Sequence, residues 1–446
     1  MLFAGTFALA AQDFSHPDVQ PAPQTALIQQ ANDALAAGEF SAALKILTSL
    51  NTQTPNDPQI LYDLGLTLEA LDVNPPATGS GQTASNELTA ESCYRKSIEA
   101  DPQFPAAHVA LGLLLARTGR PAEARTQLTA ATILPDEDPA LRARALRALA
   151  RLDQLSTPPN PTAASSELIA ALKLTPEQPE DILLSAEIAE SAADFPTAEH
   201  AYRRLLALTP DDAQATAALA HVLLAEQHPA DAEALLVPAL TRSPGNPSFT
   251  AQLAEAYLAS GDTAKIAQAT PLVEALHAKV PDNANVARLL ARVYLETGHP
   301  DQADTLYASL IAAQTAHPDP TLLDDRAEAL LRLHRPGEAE KLLKQAVADP
   351  DAFPSRDAFG DAATHLAFAA AEIDDPRITL QALALRAKVQ PPSPSSLFLE
   401  ATANDDLHQS SKAAELYKQF LAASGGKLPD QESQARQRLA ALSHTK

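Results

Sequence analysis

The side chains that most often carry out chemistry are few in this sequence, and they are not grouped. The twelve histidines never lie four residues apart with an acid between them, and the motifs HExxH, GxSxG, GxGxxG and GxxxxGK(S/T) are absent. The single cysteine, Cys93, precedes Tyr94 in a predicted helix, where a small, partly buried residue is the expected role and a nucleophile is the alternative. The sequence therefore predicts a protein that is not an enzyme, with no catalytic, cofactor-binding or metal site.

Adjacent acids are the one arrangement that invites a catalytic interpretation. They occur as Asp211–Asp212, Asp324–Asp325, Asp374–Asp375 and Asp405–Asp406. Neighbours on a helix point about 100° apart, so the two carboxylates of a pair do not converge on one atom. Two of the pairs fall at predicted helix starts or turns, where Asp caps a helix. We predict capping and solvation for these acids, with a carboxylate dyad or a Ca²⁺ site as the alternative.

The elements that carry these residues follow from composition. The 446 residues are 46% hydrophobic but only 4% aromatic, with no Trp, 14 Gly and 36 Pro. This mixture predicts many short helices separated by proline-marked turns. It excludes a wholly disordered chain and argues against a β-sandwich or barrel. The net charge of −23 argues against nucleic acid or an anionic membrane as the partner.

A repeat organises these helices. Prolines recur late in successive helical segments at spacings that centre on 34 residues: Pro55, Pro102, Pro135, Pro176, Pro210, Pro244, Pro281, Pro318, Pro350 and Pro391. On a 34-residue frame the eighth position is Gly or Ala, as at Gly65 and Gly112, and the twentieth is Ala. Gly38, Gly119, Gly261 and Gly298 share the fifteenth position. Four residues after the twentieth come large side chains, such as Leu128 and Tyr307. This pattern predicts paired helices that approach closely at small residues, with a left-handed glycine ending the first helix.

These features resemble the tetratricopeptide repeat family, most clearly in PQILYDLGLTL from Pro58, AAHVALGLLLARTGRPAEARTQL from Ala106 and VARLLARVYLETGHPDQADTLYASLI from Val286. The resemblance covers about residues 24–427 and implies an all-α, right-handed solenoid of about eleven helix-turn-helix units. The units across 139–175 and 357–391 are degenerate, and the family tryptophan is replaced by Leu61, Ile182, Leu323 and Leu397. The C-terminal stretch also resembles tetratricopeptide repeat proteins of acidobacteria-like bacteria.

The predicted organisation has five segments. Residues 1–23 are a signal-peptide remnant and linker, 24–153 are N-terminal repeats with a loop insertion at 72–84, 154–166 are a Pro/Ser-rich connection, 167–427 are C-terminal repeats, and 428–446 are a capping helix and tail. Asp430 is the predicted N-cap of that last helix. The apolar stretch Leu2–Ala10, which ends in Ala-Leu-Ala, predicts export to the periplasm or secretion; a frayed hydrophobic tail in a cytoplasmic protein is the alternative.

The resemblance implies that positions two, five, nine and twelve of each first helix line a concave groove. The predicted groove residues are Asn32, Tyr62, Val109, Leu113, Glu187, Glu190, His221, Glu255, Arg288, Arg292, Asp324 and Glu328. Arg288 and Arg292 lie four apart, which suits recognition of a carboxylate, although two solvated surface charges are the alternative. The sequence predicts a scaffold that binds a protein or peptide, with basic patches favoured on the partner. The alternative is an accessory subunit of an envelope complex for outer-membrane assembly or polysaccharide export.

Overall fold

The computed structural model describes residues 23–73, 88–135, 138–314 and 318–443, and every regular element in these ranges is helical. The helices of the first half are α1 Pro23–Ala36, α2 Phe40–Gln53, α3 Pro58–Val73, α4 Ala90–Ala100, α5 Pro105–Arg117, α6 Pro121–Ile133, α7 Pro139–Gln154, α8 Pro161–Leu172, α9 Pro179–Ser191 and α10 Phe195–Leu208. Those of the second half are α11 Ala213–Ala225, α12 Pro229–Arg242, α13 Pro247–Ser260, α14 Thr263–Lys279, α15 Ala284–Glu296, α16 Pro300–Ala313, α17 Pro320–Arg332, α18 Pro336–Ala346, α19 Arg356–Glu372, α20 Pro376–Arg386, α21 Pro394–Asp406, α22 Ser410–Ser424 and α23 Pro429–Ser443. A short 3-10 turn, Pro350–Ala352, precedes α19.

Consecutive helices pack as hairpins from α1/α2 to α21/α22, and α23 packs against α22. The predicted count of about eleven helix pairs with a final capping helix is therefore confirmed across the described ranges. Proline often occupies the first helical position, where its missing N–H costs no hydrogen bond. None of the helices in these ranges combines the length and the apolar character needed to cross a lipid bilayer.

The chain divides by its internal contacts into an N-terminal array that ends at Leu208 and a C-terminal array that begins at Thr209. The predicted Pro/Ser-rich connection at 154–166 is not such a boundary. Its second part, from Pro161, is the start of α8, and α8 packs against α7 as the second helix of one hairpin. The predicted signal remnant and most of the 72–84 insertion lie outside the described residues.

The alternation of small and large residues is the basis of the packing. The alanines at the twentieth position are fully buried: Ala43, Ala124, Ala198, Ala232, Ala303, Ala339 and Ala413. A Cβ added to Gly65 would lie 2.4 Å from the Tyr94 ring, and one added to Gly112 would lie 2.6 Å from Leu128 Cγ. The two helices of a repeat thus approach as closely as the small residues allow, and the large residues fill the space beside the contact.

The turn between the helices of a repeat takes a left-handed residue, as predicted for Gly38, Gly119, Gly261 and Gly298. In five further repeats the same backbone conformation is taken by residues with side chains: Ala193, Gln227, His334, Asp374 and His408. The geometry of the repeat therefore imposes this conformation even where no glycine relieves it.

The end of the C-terminal array differs in detail from the prediction. Gly425 and Gly426 end α22 in left-handed conformations, but α23 begins at Pro429, so Asp430 lies in its first turn and is not the N-cap. Glu432 instead accepts hydrogen bonds from the Ser424 hydroxyl and the Gly426 amide, both at 2.7 Å. This carboxylate joins the start of α23 to the end of α22.

Candidate functional site

A pocket of about 300 Å³ opens on the first helices of three consecutive repeats in the N-terminal array, α3, α5 and α7. Its apolar wall is formed by Tyr62, Leu66, Leu113 and Leu141. The Tyr62 ring is held edge-on by Phe104, at a centroid distance of 5.5 Å and an interplanar angle of 83°. The pocket is therefore a preformed apolar surface on a rigid helical support.

Some charged groups around this pocket form ion pairs, and one does not. Glu69 pairs with Arg117 at 2.8 Å and accepts a hydrogen bond from the Tyr94 hydroxyl, also at 2.8 Å. Arg144 on α7 is exposed at the rim and makes no ion pair with any described residue. Burial raises the pKa of Tyr62, and the charge of the nearby Arg144 opposes that shift. One cation is thus left to interact with a ligand group.

A second pocket, of about 180 Å³, continues this surface between α7 and α9. Leu155 is 81% exposed at its edge, and Gln154 donates to the Glu187 carbonyl oxygen at 2.9 Å. Arg151 lines the pocket opposite Glu187. Burial raises the pKa of the Glu187 carboxyl, whereas the Arg151 charge lowers it. We name the two pockets together the first-helix face of the N-terminal array.

The predicted groove residues of this array have different surroundings in the structure. Tyr62 and Glu187 line the two pockets, and Asn32 is exposed on α1. Glu190 accepts a hydrogen bond from the Tyr202 hydroxyl at 2.8 Å and so supports its own repeat. Val109 also lines the first pocket, but only 1% of its surface is exposed.

Val109 is buried because it forms one apolar cluster with Leu128 of its own repeat and with Ala145 and Leu149 on α7 of the next repeat. Its side chain therefore offers little surface to a partner.

In the C-terminal array the predicted arginine pair is split. Arg288 is not a free carboxylate receptor. It donates from Nε to Asp325 at 2.7 Å and from Nη2 to the Thr321 hydroxyl at 2.8 Å, and it also pairs with Asp319. Arg292 is exposed and makes no ion pair in the described ranges. Arg288 therefore joins α15 to α17, and only Arg292 is left for a partner.

The acids of α17 are also paired. Asp324 accepts a hydrogen bond from His365 Nδ1 on α19 at 2.8 Å, and Glu328 binds Arg332, which also reaches Glu296. Burial lowers the pKa of His365, but the hydrogen bond and charge of Asp324, with Glu328 and Asp361, outweigh it and raise the pKa overall. His221 on α11 and Glu255 on α13 are exposed.

Sequence reasoning missed His365 and the exposed aromatic Phe368, which lies three residues later on the same helix. Both fall in the degenerate repeat across 357–391, where no frame assigned positions. The signal in the sequence is a phenylalanine, Phe368, that lies off the apolar side of the helical pattern; it would have drawn attention to this helix.

The remaining chemistry-bearing residues have structural roles. Cys93 is buried, and burial raises the pKa of its thiol, which disfavours the thiolate. Asp212 caps α11 and Asp375 caps α20, as predicted. Asp405 receives Arg438 through both carboxylate oxygens, at 2.7 and 2.9 Å, inside an acidic pocket of about 360 Å³.

Comparison with known proteins agrees with this architecture. A family model described as tetratricopeptide repeat matches residues 223–265 and 264–323, and a second model of the same description matches residues 89–141. A comparison with curated protein sequences finds no significant match.

Several solved structures are similar to the chain. The APC/C hetero-tetramer Cut9–Hcn1 has a TM-score of 0.44 and 12% identity, and the match covers 95% of this chain and 94% of that one. PilF of Pseudomonas aeruginosa has a TM-score of 0.42 and 19% identity, with 52% and 97% covered. Yeast Tom70 has a TM-score of 0.40 and 13% identity, with 87% and 96% covered.

All three TM-scores lie below 0.5, so these structures carry no further argument. The family models show that the chain contains tetratricopeptide repeats within residues 89–141 and 223–323.

Proposed function

We propose that the protein is a non-catalytic scaffold that binds an extended segment of a partner protein on the first-helix face of its N-terminal array. The observation that carries the proposal is the apolar pocket at Tyr62, Leu113 and Leu141 with the unpaired Arg144 at its rim. Tetratricopeptide repeat proteins are in general protein-interaction scaffolds. A preformed pocket on packed helices binds a segment with little rearrangement of its own, which limits the entropic cost of association.

The pocket specifies what part of the partner it receives. Leu66, Leu113 and Leu141 suit an aliphatic or aromatic side chain, and Arg144 suits a carboxylate a few residues away. The second pocket also combines exposed Leu155 with the cation Arg151, but the carboxylates Glu180 and Glu187 line it as well. The segment that fits therefore presents an apolar side chain to the first pocket and an acid to Arg144.

The net charge of −23 attracts a partner over longer distances than the contacts within this pocket do. It speeds the encounter with a partner whose wider surface is basic, mainly at low ionic strength. The proposed partner thus has a basic surface and presents a local apolar and acidic segment to the first-helix face.

A selection of displayed random peptides on the full-length chain tests this proposal. We expect enriched peptides to carry an apolar residue close to an acid, and we expect Arg144→Glu to weaken their binding at least 10-fold in fluorescence anisotropy. Lys96→Glu, an equal charge change at an exposed position of the second helix α4, is the matched control. Peptides that bind the Arg144→Glu and native chains equally well, or no enrichment at all, would contradict the proposal.

Export remains a part of the proposal that depends on Leu2–Ala10 alone. If the protein is exported, an accessory role in an envelope complex is the second form that a scaffold function would take. N-terminal sequencing of protein recovered from the periplasmic or culture fraction tests this part. Cleavage after Ala10 is expected, and uncleaved protein confined to the cytoplasmic fraction would refute it.

A further inference from the structure

A separate pocket, of about 350 Å³, lies in the C-terminal array where the 3-10 turn, the start of α19 and the end of α20 meet. Its floor is apolar and consists of Phe353, Phe359, Leu385 and Val389. The two phenylalanine rings pack edge to face at a centroid distance of 5.5 Å, and both belong to the buried core of the array. The floor is therefore rigid, because core packing fixes it from beneath.

Two cations stand at the mouth of this pocket. Arg356 is the first residue of α19 and Lys388 follows the end of α20; both are exposed, and neither pairs with a described residue. The only carboxylate among the lining residues is Asp351. The mouth thus carries a net positive charge in a chain whose total charge is −23.

We propose that this pocket binds a small organic carboxylate with an apolar body, whose chain or ring contacts the phenylalanine floor while its carboxylate lies between Arg356 and Lys388. The pocket volume falls at the lower end of the range of about 300–1,000 Å³ that small-molecule sites occupy. An apolar wall with a few charged groups at one end is the arrangement by which such sites combine affinity with orientation. The charge complementarity favours an acid over a neutral ligand of equal size.

This site is independent of the proposed scaffold function. It shares no residue with the first-helix face, and it lies at the edge of the C-terminal array where successive repeats are joined. A ligand here would bridge the turn before α19 and the end of α20, and so it would couple small-molecule binding to the packing of one repeat.

Decanoate and decanol, which share an apolar chain and differ in charge, distinguish the proposal from simple apolar adsorption. In titration calorimetry on the full-length chain, we expect decanoate to bind with one site and at least 10-fold more tightly than decanol. The double variant Arg356→Gln/Lys388→Gln should weaken decanoate at least 10-fold and leave decanol unchanged. Arg377→Gln on α20 is the control for a lost exposed cation.

Hydrogen exchange then locates the site. Decanoate should slow exchange in residues 350–359 and 383–389. Val389→Phe, which adds bulk to the pocket wall, should abolish both the heat of decanoate binding and this protection from exchange. Equal affinity for acid and alcohol, or binding unchanged in the double variant, would overturn the proposal. So would a phenylalanine-containing acidic peptide that protects these residues when decanoate does not, since the occupant would then be a protein segment.

Discussion

Arg147 on α7 holds Asp181 on α9 through both carboxylate oxygens, with Nε–Oδ1 and Nη2–Oδ2 distances of 2.6 and 2.7 Å. Asp181 is almost fully buried, and its Oδ2 also accepts the backbone N–H of Gln178 at the start of α9. The pair therefore fixes the first helices of two adjacent repeats and caps one of them. Burial alone would raise the pKa of Asp181, but Arg147 and the Gln178 amide lower it overall.

Arg147→Gln is expected to lower the free energy of unfolding of the N-terminal array by about 2–4 kcal/mol, because it leaves a buried carboxylate without its countercharge. The contribution of Asp181 is present above its unfolded pKa of about 3.9 and is lost as the pH falls through its lower folded pKa. Urea denaturation followed by circular dichroism measures the effect. Arg203→Gln removes an exposed pair with Glu199 on α10 and should cost less than about 0.5 kcal/mol. Equal losses in the two variants would show that the Arg147 pair is no stronger than a surface ion pair.

Gly65→Ala should destabilise the second repeat by about 1–3 kcal/mol, because the new methyl group would overlap the Tyr94 ring, which is fully buried and has no room to move. Gly337→Ala on α18 is the matched control, since an added Cβ there meets no atom within 4 Å. Removing a helical glycine at an open position should be neutral or stabilising by up to about 1 kcal/mol. Thermal denaturation of both variants measures the difference, and a Gly65→Ala chain as stable as the native one would refute the close approach of α3 and α4.

At the left-handed turns, adding a glycine and removing one should change the stability in opposite directions. His334 lies in the turn after α17 with φ of 57°, where a side chain is strained, so His334→Gly is expected to stabilise the C-terminal array by about 0.5–1 kcal/mol. Gly298→Ala, in the same type of turn two helices earlier, should destabilise it by a similar amount. The apparent melting temperatures of the two variants should therefore move in opposite directions. A shift in the same direction would mean that backbone strain does not govern these turns.

The repeat frame could be predicted because it depends on residue size alone. Ala43, Leu47 and Gly65 occupy positions where only a small or only a large side chain fits, so the pattern is visible in the letters. The groove position of Tyr62 came from the resemblance to the tetratricopeptide repeat family and not from residue size, and in the structure Tyr62 lines the first pocket.

The charged residues of the site could not be assigned in this way. Arg288 and Asp325 are separated by 37 residues, and whether they pair depends on the distance and the angle between two repeats. The burial of Val109 likewise depends on how closely α7 approaches α5. His365 lies in a repeat whose sequence departs from the frame, so its contact with Asp324 had no sequence signal.

Glu167 on α8 provides a pH-dependent prediction. Its Oε2 is buried without a hydrogen-bond partner, beside Asp153 on α7, which already accepts two bonds from Arg125. Burial and the neighbouring Asp153 charge raise the pKa of Glu167 to about 7. Between its unfolded pKa, near 4.5, and pH 7 the folded chain therefore holds more protons than the unfolded chain, so stability falls as the pH rises.

Glu167→Gln should remove this loss of stability at higher pH, because the amide is neutral at every pH and its N–H can donate to Asp153. At pH 8 we expect the variant to be more stable than the native chain by about 1–2 kcal/mol, less than the full pKa shift implies because the side chain keeps partial contact with water. At pH 4.5 the two should be nearly equal. Melting temperatures measured across this range test the prediction, with Glu99→Gln at an exposed position of α4 as the control. A pH slope that is the same in the Glu167→Gln and Glu99→Gln chains would show that the Glu167 carboxyl is not held protonated by its surroundings.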